Sequence, residues 1–286
     1  MSSPGASRYR GPRGRDLALR LLGFAALVVI AMLFVGPFVW QVIVSLSSLA
    51  DVDRVANLGV PPSLHPQNYT RVFETINFAG YLYNSVFVAA FVTFLQVVTS
   101  AMAAFAFSRL QWPGRDKVFL LYLATMMVPG VVLMVPNFAV IVSLGLFNSY
   151  AGLIIPAAFS AYGTFLLRQF MLTIPSSLDE AALIDGASQA RVFLDVVMPL
   201  TRPGLIVLTI FTFLGNYNSF FWPLILVKDD HLRTLPIGLL SFDSTYGSDT
   251  PALMAASLMA MIPPTILFIA LQRYLVKGIQ LGAVKG

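Results

Sequence analysis

The chain has 286 residues, of which 57% are hydrophobic and 11% charged, against about 25% charged in a soluble domain; this rules out a disordered chain and argues against a soluble enzyme. There is no cysteine, and His65 and His231 are the only histidines, which removes disulfides, thiolate metal sites and cysteine nucleophiles and leaves little for a zinc site or a Ser–His–Asp triad. The net charge of +5 invites a nucleic-acid reading, but the cations flank long neutral windows, so membrane topology accounts for them and no nucleic acid is needed.

A basic segment, residues 1–20, carries Arg8, Arg10, Arg13, Arg15 and Arg20 ahead of an apolar run from about Leu21 to Val44. That run exceeds the roughly 7–15 residues of a signal-peptide core and has no small-residue cleavage site after it, so it reads as a retained anchor. Residues 21–50, 75–108, 203–227 and 250–272 contain no charged residue or histidine, and 118–167 form a fifth neutral window of 50 residues. Crossing a bilayer takes about 20 apolar residues. The longest window therefore holds two spans, hinged at Gly145, Asn148 and Ser149, and the fold class is an all-α polytopic membrane protein with six transmembrane helices. Placing both termini in the cytoplasm puts fourteen Lys and Arg inside and four (Arg54, Arg71, Lys228, Arg233) outside. The orientation is N-in, C-in.

Helix breakers interrupt the third span (Pro129–Gly130, Pro136), the fourth (Pro156) and the sixth (Pro263–Pro264). Such breaks fit a bundle whose neighbouring helices or internal pathway satisfy the freed backbone. Ala101, Ala103, Ala104 and Ala106 predict close helix packing. None of the six spans holds an ionisable residue, which disfavours a proton-coupled carrier. The polar groups at depth, Asn84, Gln96, Asn137, Asn216 and Asn218, suit either a hydroxyl-rich neutral solute or other helices. No phosphate-binding loop of the G-x-x-x-x-G-K-[ST] type occurs, so an uphill transporter of this kind takes its energy from elsewhere.

The segment 168–202 breaks the pattern, being long and carrying Asp179, Glu180, Asp185 and Asp195. Ser177 and Glu180 have capping-box spacing, which predicts a helix beginning at Ser177, and Gly186 is placed to end it in a left-handed cap. A second helical segment is predicted over Gln189–Val197, ending at Met198–Pro199. The apolar residues Leu178, Ala181, Ala182 and Ile184 need a partner, either the underside of the bundle or a separate protein.

These residues carry a resemblance. The run EAALIDGASQARVFLDVVMPLTRP from Glu180 resembles the EAA loop of the membrane-spanning permease subunits of ATP-binding-cassette importers, with Glu180, Ala181, Ala182, Asp185, Gly186, Ala187, Phe193, Pro199 and Pro203 at the matching positions. Asn84–Ser85, Phe107–Leu110, Pro113–Arg115, Leu167–Phe170, Asn218–Leu224, Thr234–Leu239 and the tail Gly282–Gly286 are similar to carbohydrate-type permeases of the maltose second-subunit group. Tyr217 departs from it, standing where that group usually has tryptophan.

The resemblance implies a type I importer permease fold in a prokaryotic cytoplasmic (inner) membrane, with a transmembrane domain over 21–286 and a cytoplasmic tail from 273. It implies a non-catalytic subunit that forms half of a carbohydrate or polyol pathway, alongside a second permease subunit. A cytoplasmic ATPase dimer would bind ATP and magnesium, and an extracytoplasmic solute-binding protein would deliver the solute; this chain would bind no cofactor or metal. Glu180, Ala181, Ala182, Asp185, Gly186 and Ala187 would couple to the ATPase. Asn216, Tyr217, Asn218 and Phe220 are placed near the solute path, or against the partner permease. The competing reading is a self-sufficient ion-coupled secondary transporter; a membrane-embedded enzyme lacks a nucleophile–base or metal constellation.

Overall fold

The computed structural model describes residues 14–52, 63–244 and 247–283. Residues 1–13 of the basic segment, Asp53 and Arg54 of the segment expected outside, and the last three residues of the tail lie outside the described residues. The described residues are helical almost throughout, with one two-residue antiparallel pairing among them, Asp243–Ser244 with Gly247–Ser248. The helices are α1 (Gly14–Ser45), α2 (Gln67–Thr75), α3 (Phe78–Ser108), α4 (Arg115–Ala124), α5 (Met134–Ser143), α6 (Tyr150–Ile154) and α7 (Ala161–Leu172). After them come α8 (Ser177–Ile184), α9 (Gln189–Leu200), α10 (Arg202–Tyr217), α11 (Phe221–Leu226), α12 (Leu235–Gly238), α13 (Thr250–Ala260) and α14 (Ile262–Ala283).

Two compact units emerge, the first made of residues up to Tyr69 with Asp249–Leu258, the second of Thr70–Ser248 with Met259 onward. In the first, the end of α1 is stapled by α2: Asn68 Nδ2 donates to the carbonyls of Ser45 and Ser47 at 2.9 and 2.8 Å, and the Tyr69 and Ser45 hydroxyls lie 2.9 Å apart. Those carbonyls are past the reach of intrahelical donors, so a side-chain amide satisfies them. Helix α1 begins at Gly14, inside the segment expected to precede the first span.

Among the described residues, Leu19–Ser45, Phe78–Ser108 and Thr250–Tyr274 are long and apolar enough to cross a membrane. Gln189–Leu200 and Arg202–Tyr217 make a fourth such stretch only when taken together, and they are bent by 76°. The 50-residue window is more broken than one helix per span. Its first half is α4, a 3₁₀ turn at Thr125–Met127 and α5; its second half is α6 and α7. The breaks fall at Pro129–Gly130 and Pro156, where proline removes a donor and crowds the preceding turn. Pro136, Pro263 and Pro264 instead lie in the first turns of α5 and α14, where a missing N–H costs nothing. The hinge adopts left-handed backbone at Gly145 (φ 70°) and Asn148 (φ 56°).

In the second unit α3 packs against α7 and α10, and α10 packs against α14. Ala101 and Ala104 are fully buried there, as expected of small residues at a close crossing, while Gly163 lets α7 approach so near that a Cβ would meet Ser100 and Leu208. The polar groups at depth are mostly spent on the chain itself. Asn84 Nδ2 donates to the carbonyls of His231 and Arg233, each at 2.8 Å, and its Oδ1 accepts from the Tyr150 hydroxyl at 2.6 Å. Gln96 and Thr99 donate to the carbonyls of Ala157 and Ala158. Asn148 Oδ1 accepts from the backbone amides of Lys228 and Asp229, and its Nδ2 donates to Asp229.

Candidate functional site

The segment after α7 is built around one short helix. Pro175 and Ser176 start α8: the amides of Asp179 and Glu180 both bond the Ser176 carbonyl, at 3.0 and 3.1 Å. The capping box expected from Ser177 does not form. Ser176 is the N-cap and already has helical backbone (φ −64°, ψ −23°) with no side-chain bond, so Ser177 lies inside the first turn with its hydroxyl past the capping position. The other end follows expectation. Gly186 has φ 86°; its amide bonds the Leu183 carbonyl at 3.0 Å and that of Ala187 bonds Ala182 at 2.9 Å. This is a Schellman closure. Ser188 then caps α9, accepting from the Arg191 amide.

Helix α9 continues past its expected end to Leu200 by widening into a π-helical stretch, Val192–Val197. Pro199 has no amide for the Asp195 carbonyl and its ring would crowd that carbonyl in a regular α-turn; the wider turn relieves both. Thr201, fully buried, donates its hydroxyl to Val197 at 2.7 Å at the bend into α10.

Six residues singled out in this loop divide by direction. Ala182 and Ala187 turn inward onto a core of Ala101, Ala104, Phe105, Leu167, Met171 and Val192, and Phe193 packs its ring on Phe105 at 5.0 Å. Glu180, Ala181, Asp185 and Gly186 point outward and are exposed. The outward face therefore lacks Ala182 and gains Leu183, alongside Leu178, Ala181 and Ile184, the last 86% exposed. At 100° per residue Ala182 lies only about 40° from Leu178, so it marks the inner edge of that face, where the helix meets the core.

The base of α8 is held by Arg109, the residue that ends α3. Its Nη2 donates to the carbonyls of Met171 and Ile174 at 2.7 and 2.9 Å, at the C-terminal end of α7, where a cation is favoured. Its Nη1 lies 3.2 Å from Asp179 Oδ2, and the two side chains are only 8% and 14% exposed. Close by, Arg168 lies over the Phe119 ring at 4.2 Å and donates to the Phe107 carbonyl at 3.2 Å.

The four residues assigned to a solute path are not equivalent. Asn216 and Asn218 donate to the carbonyls of Thr212 and Leu214 in their own helix, Asn218 being exposed and Asn216 and Phe220 half-buried. Tyr217 is buried, stacked on Phe213 at 5.8 Å, and its hydroxyl donates to the Ala260 carbonyl at 2.7 Å. That bond ties the end of α10 to Ala260 and commits the hydroxyl within the chain. Nearby, Gly130, Val131 and Met134 at the break between α4 and α5 line a largely apolar cavity of about 350 Å³ with Phe221 and Trp222. Among the described residues no group of His, Asp and Glu gathers as a metal site.

The family described as binding-protein-dependent transport system inner membrane component matches residues 96–281. The chain is 33% identical to the arabinooligosaccharides transport system permease protein AraQ of Halalkalibacterium halodurans, over 94% of this chain and 96% of that protein. The chain belongs to this transport family. This inner membrane component is also 32% identical to the trehalose/maltose transport system permease protein MalG of Thermococcus litoralis, over 95% and 99% of the two chains. A third relative is the sn-glycerol-3-phosphate transport system permease protein UgpE of Rhizobium meliloti, 32% identical over 91% and 95%. In fold it resembles a chain from the crystal structure of a bacterial ABC transporter involved in import of the acidic polysaccharide alginate, with a TM-score of 0.80 at 23% identity, covering 95% of this chain and 99% of the other.

Arg109 and the inward turn of Ala182 escaped the reading of the sequence. Ala182 shares a helical stripe with Leu178, so its spacing gave no sign that it packs on the chain's own core while Leu178 stays exposed. Arg109 stood in the run Phe107–Leu110, but its bonds are not legible there, because its partners lie more than sixty residues away.

Proposed function

We propose that this inner membrane component is a permease subunit of an ATP-driven importer, crossing the membrane six times with both termini in the cytoplasm and forming half of the pathway for a carbohydrate or related polyol. The observation that carries the reading is α8: a short capped helix with an exposed apolar face (Leu178, Ala181, Leu183, Ile184) held at the basic end of α3 and α7. An apolar face of this kind exposed outside the hydrocarbon is a docking surface, and its partner is a cytoplasmic ATPase subunit carrying the ATP and magnesium that this chain does not bind. Glu180, Asp185 and Gly186 complete the coupling surface, with Ala182 and Ala187 seating it from within. The alignment with relatives named for arabinooligosaccharides, trehalose/maltose and sn-glycerol-3-phosphate supports a hydroxyl-rich solute.

The solute passes the neutral amides Asn216 and Asn218 and the ring of Phe220, which offer hydrogen bonds and an apolar face to a sugar. A second permease subunit supplies the other half, and an extracytoplasmic binding protein delivers the solute. Extraction in mild detergent from the native membrane tests the reading. It predicts recovery of a second permease and an ATPase whose rate rises with a loaded binding protein. Recovery of this chain alone, transporting in vesicles without ATP, overturns it.

A further inference from the structure

We propose that Arg109 is the positioning residue through which α8 acts on the rest of the chain, an inference that rests on the coupling role of α8. Beyond chain continuity and the seating of Ala182 and Ala187, α8 has among the described residues one ionic hold on the rest of its unit, the contact between Arg109 Nη1 and Asp179 Oδ2 at 3.2 Å. The same guanidinium bonds the carbonyls of Met171 and Ile174 and terminates α3, the helix that at its other end is bonded through Asn84 to the His231–Arg233 backbone. One side chain thus joins the base of α8, the end of α7 and a 31-residue helix.

The joint is incompletely paired. Arg109 Nε and Asp179 Oδ1 are both buried and have no hydrogen-bond partner. A guanidinium and a carboxylate can form two parallel bonds; here the two groups meet as an ion pair at 3.2 Å, with Nη2 committed to the two carbonyls. Leaving buried polar atoms unmatched is costly, so the arrangement favours a second geometry of α8 in which the spare oxygen is taken up. Coupling between distant sites needs such an element with two discrete arrangements. The Arg109–Asp179 pair supplies it, the ion pair being redrawn so that the spare oxygen is bonded as α8 rotates under load from the ATPase.

The test uses the whole complex in lipid, with ATPase rates measured with and without the loaded binding protein. Asp179→Asn keeps the shape and removes the charge and the second acceptor; Arg109→Gln removes the guanidinium. Both are expected to assemble with a basal rate near wild type and to lose about tenfold in stimulation. Because the chain has no cysteine, spin labels at Lys117→Cys and Ser177→Cys, with the partner subunits made cysteine-free, report the movement of α8, and the change in their separation on ATP binding should disappear in Asp179→Asn. A wild-type stimulation ratio or a wild-type distance change in Asp179→Asn overturns the proposal, as does failure of that isosteric variant to assemble. If Arg109→Gln does not assemble, Asp179→Asn decides. Absence of stimulation in the wild-type complex instead overturns the coupling reading itself.

Discussion

Gln96 of α3 donates to the carbonyl of Ala157 at 2.6 Å, across the gap that Pro156 opens between α6 and α7. The same side chain accepts from the Thr212 hydroxyl of α10 at 3.3 Å. A carbonyl freed at a helix break has no water to turn to within hydrocarbon, so a neighbouring side chain must satisfy it. Gln96→Leu keeps the length and removes both bonds. It should destabilise the protein by about 1–3 kcal/mol, visible as a lower unfolding midpoint in detergent, whereas Thr212→Val should cost less. Equal midpoints for Gln96→Leu and wild type would remove this staple from the account.

Asn84 makes three bonds and Tyr150 shares one of them. Asn84→Ala is therefore expected to loosen the backbone from Val227 to Leu239 more than Tyr150→Phe does. Amide hydrogen exchange over that segment measures it, and the two variants should rank in that order.

Ile184 is almost wholly exposed and touches little of its own chain. Replacing it with glutamate should leave membrane level and thermal stability unchanged and should sharply reduce ATPase co-purification. Destabilisation of the isolated chain by this change would mean that the face is already occupied within it.

Gly186→Val forces a β-branched residue into left-handed backbone, which costs about 1–2 kcal/mol even for ordinary L-residues. Transport should be lost at normal membrane abundance, as read by uptake and immunoblot. Gly186→Asn should retain part of the activity, since asparagine tolerates this conformation better.

Asn218→Ala should shift the apparent affinity for solute, while Tyr217→Phe should leave affinity unchanged and lower stability by the loss of one bond to Ala260. The opposite pattern in uptake kinetics would reverse the assignments of the two residues.

Much of this arrangement is legible from composition because hydropathy acts locally. The neutral window at 75–108 became α3, the prolines at 129 and 156 became breaks, and Gly186 took the positive φ required of it. What escaped depends on pairs distant in sequence. Ser177 has the right neighbours for a cap, yet Pro175 and Ser176 open the helix one residue earlier. The polar side chains at depth looked equally able to serve a solute or a helix. Asn84 and Gln96 resolved to helix ends because carbonyls freed by other segments arrive within reach. Tyr217 shows the same limit, since only the position of Ala260 explains its hydroxyl.

The turn at Gly186 also separates shape from handedness. A Cβ built there would have nothing within 4 Å, so the position has room for a larger side chain, and the penalty for one is purely torsional. A D-amino acid favours positive φ as an L-residue favours negative. A chain assembled by semisynthesis with D-alanine at 186 should therefore keep the turn and lose the conformational freedom that glycine has when unfolded. What this position selects is chirality, a demand that an L-residue meets only at a torsional cost and glycine meets with none.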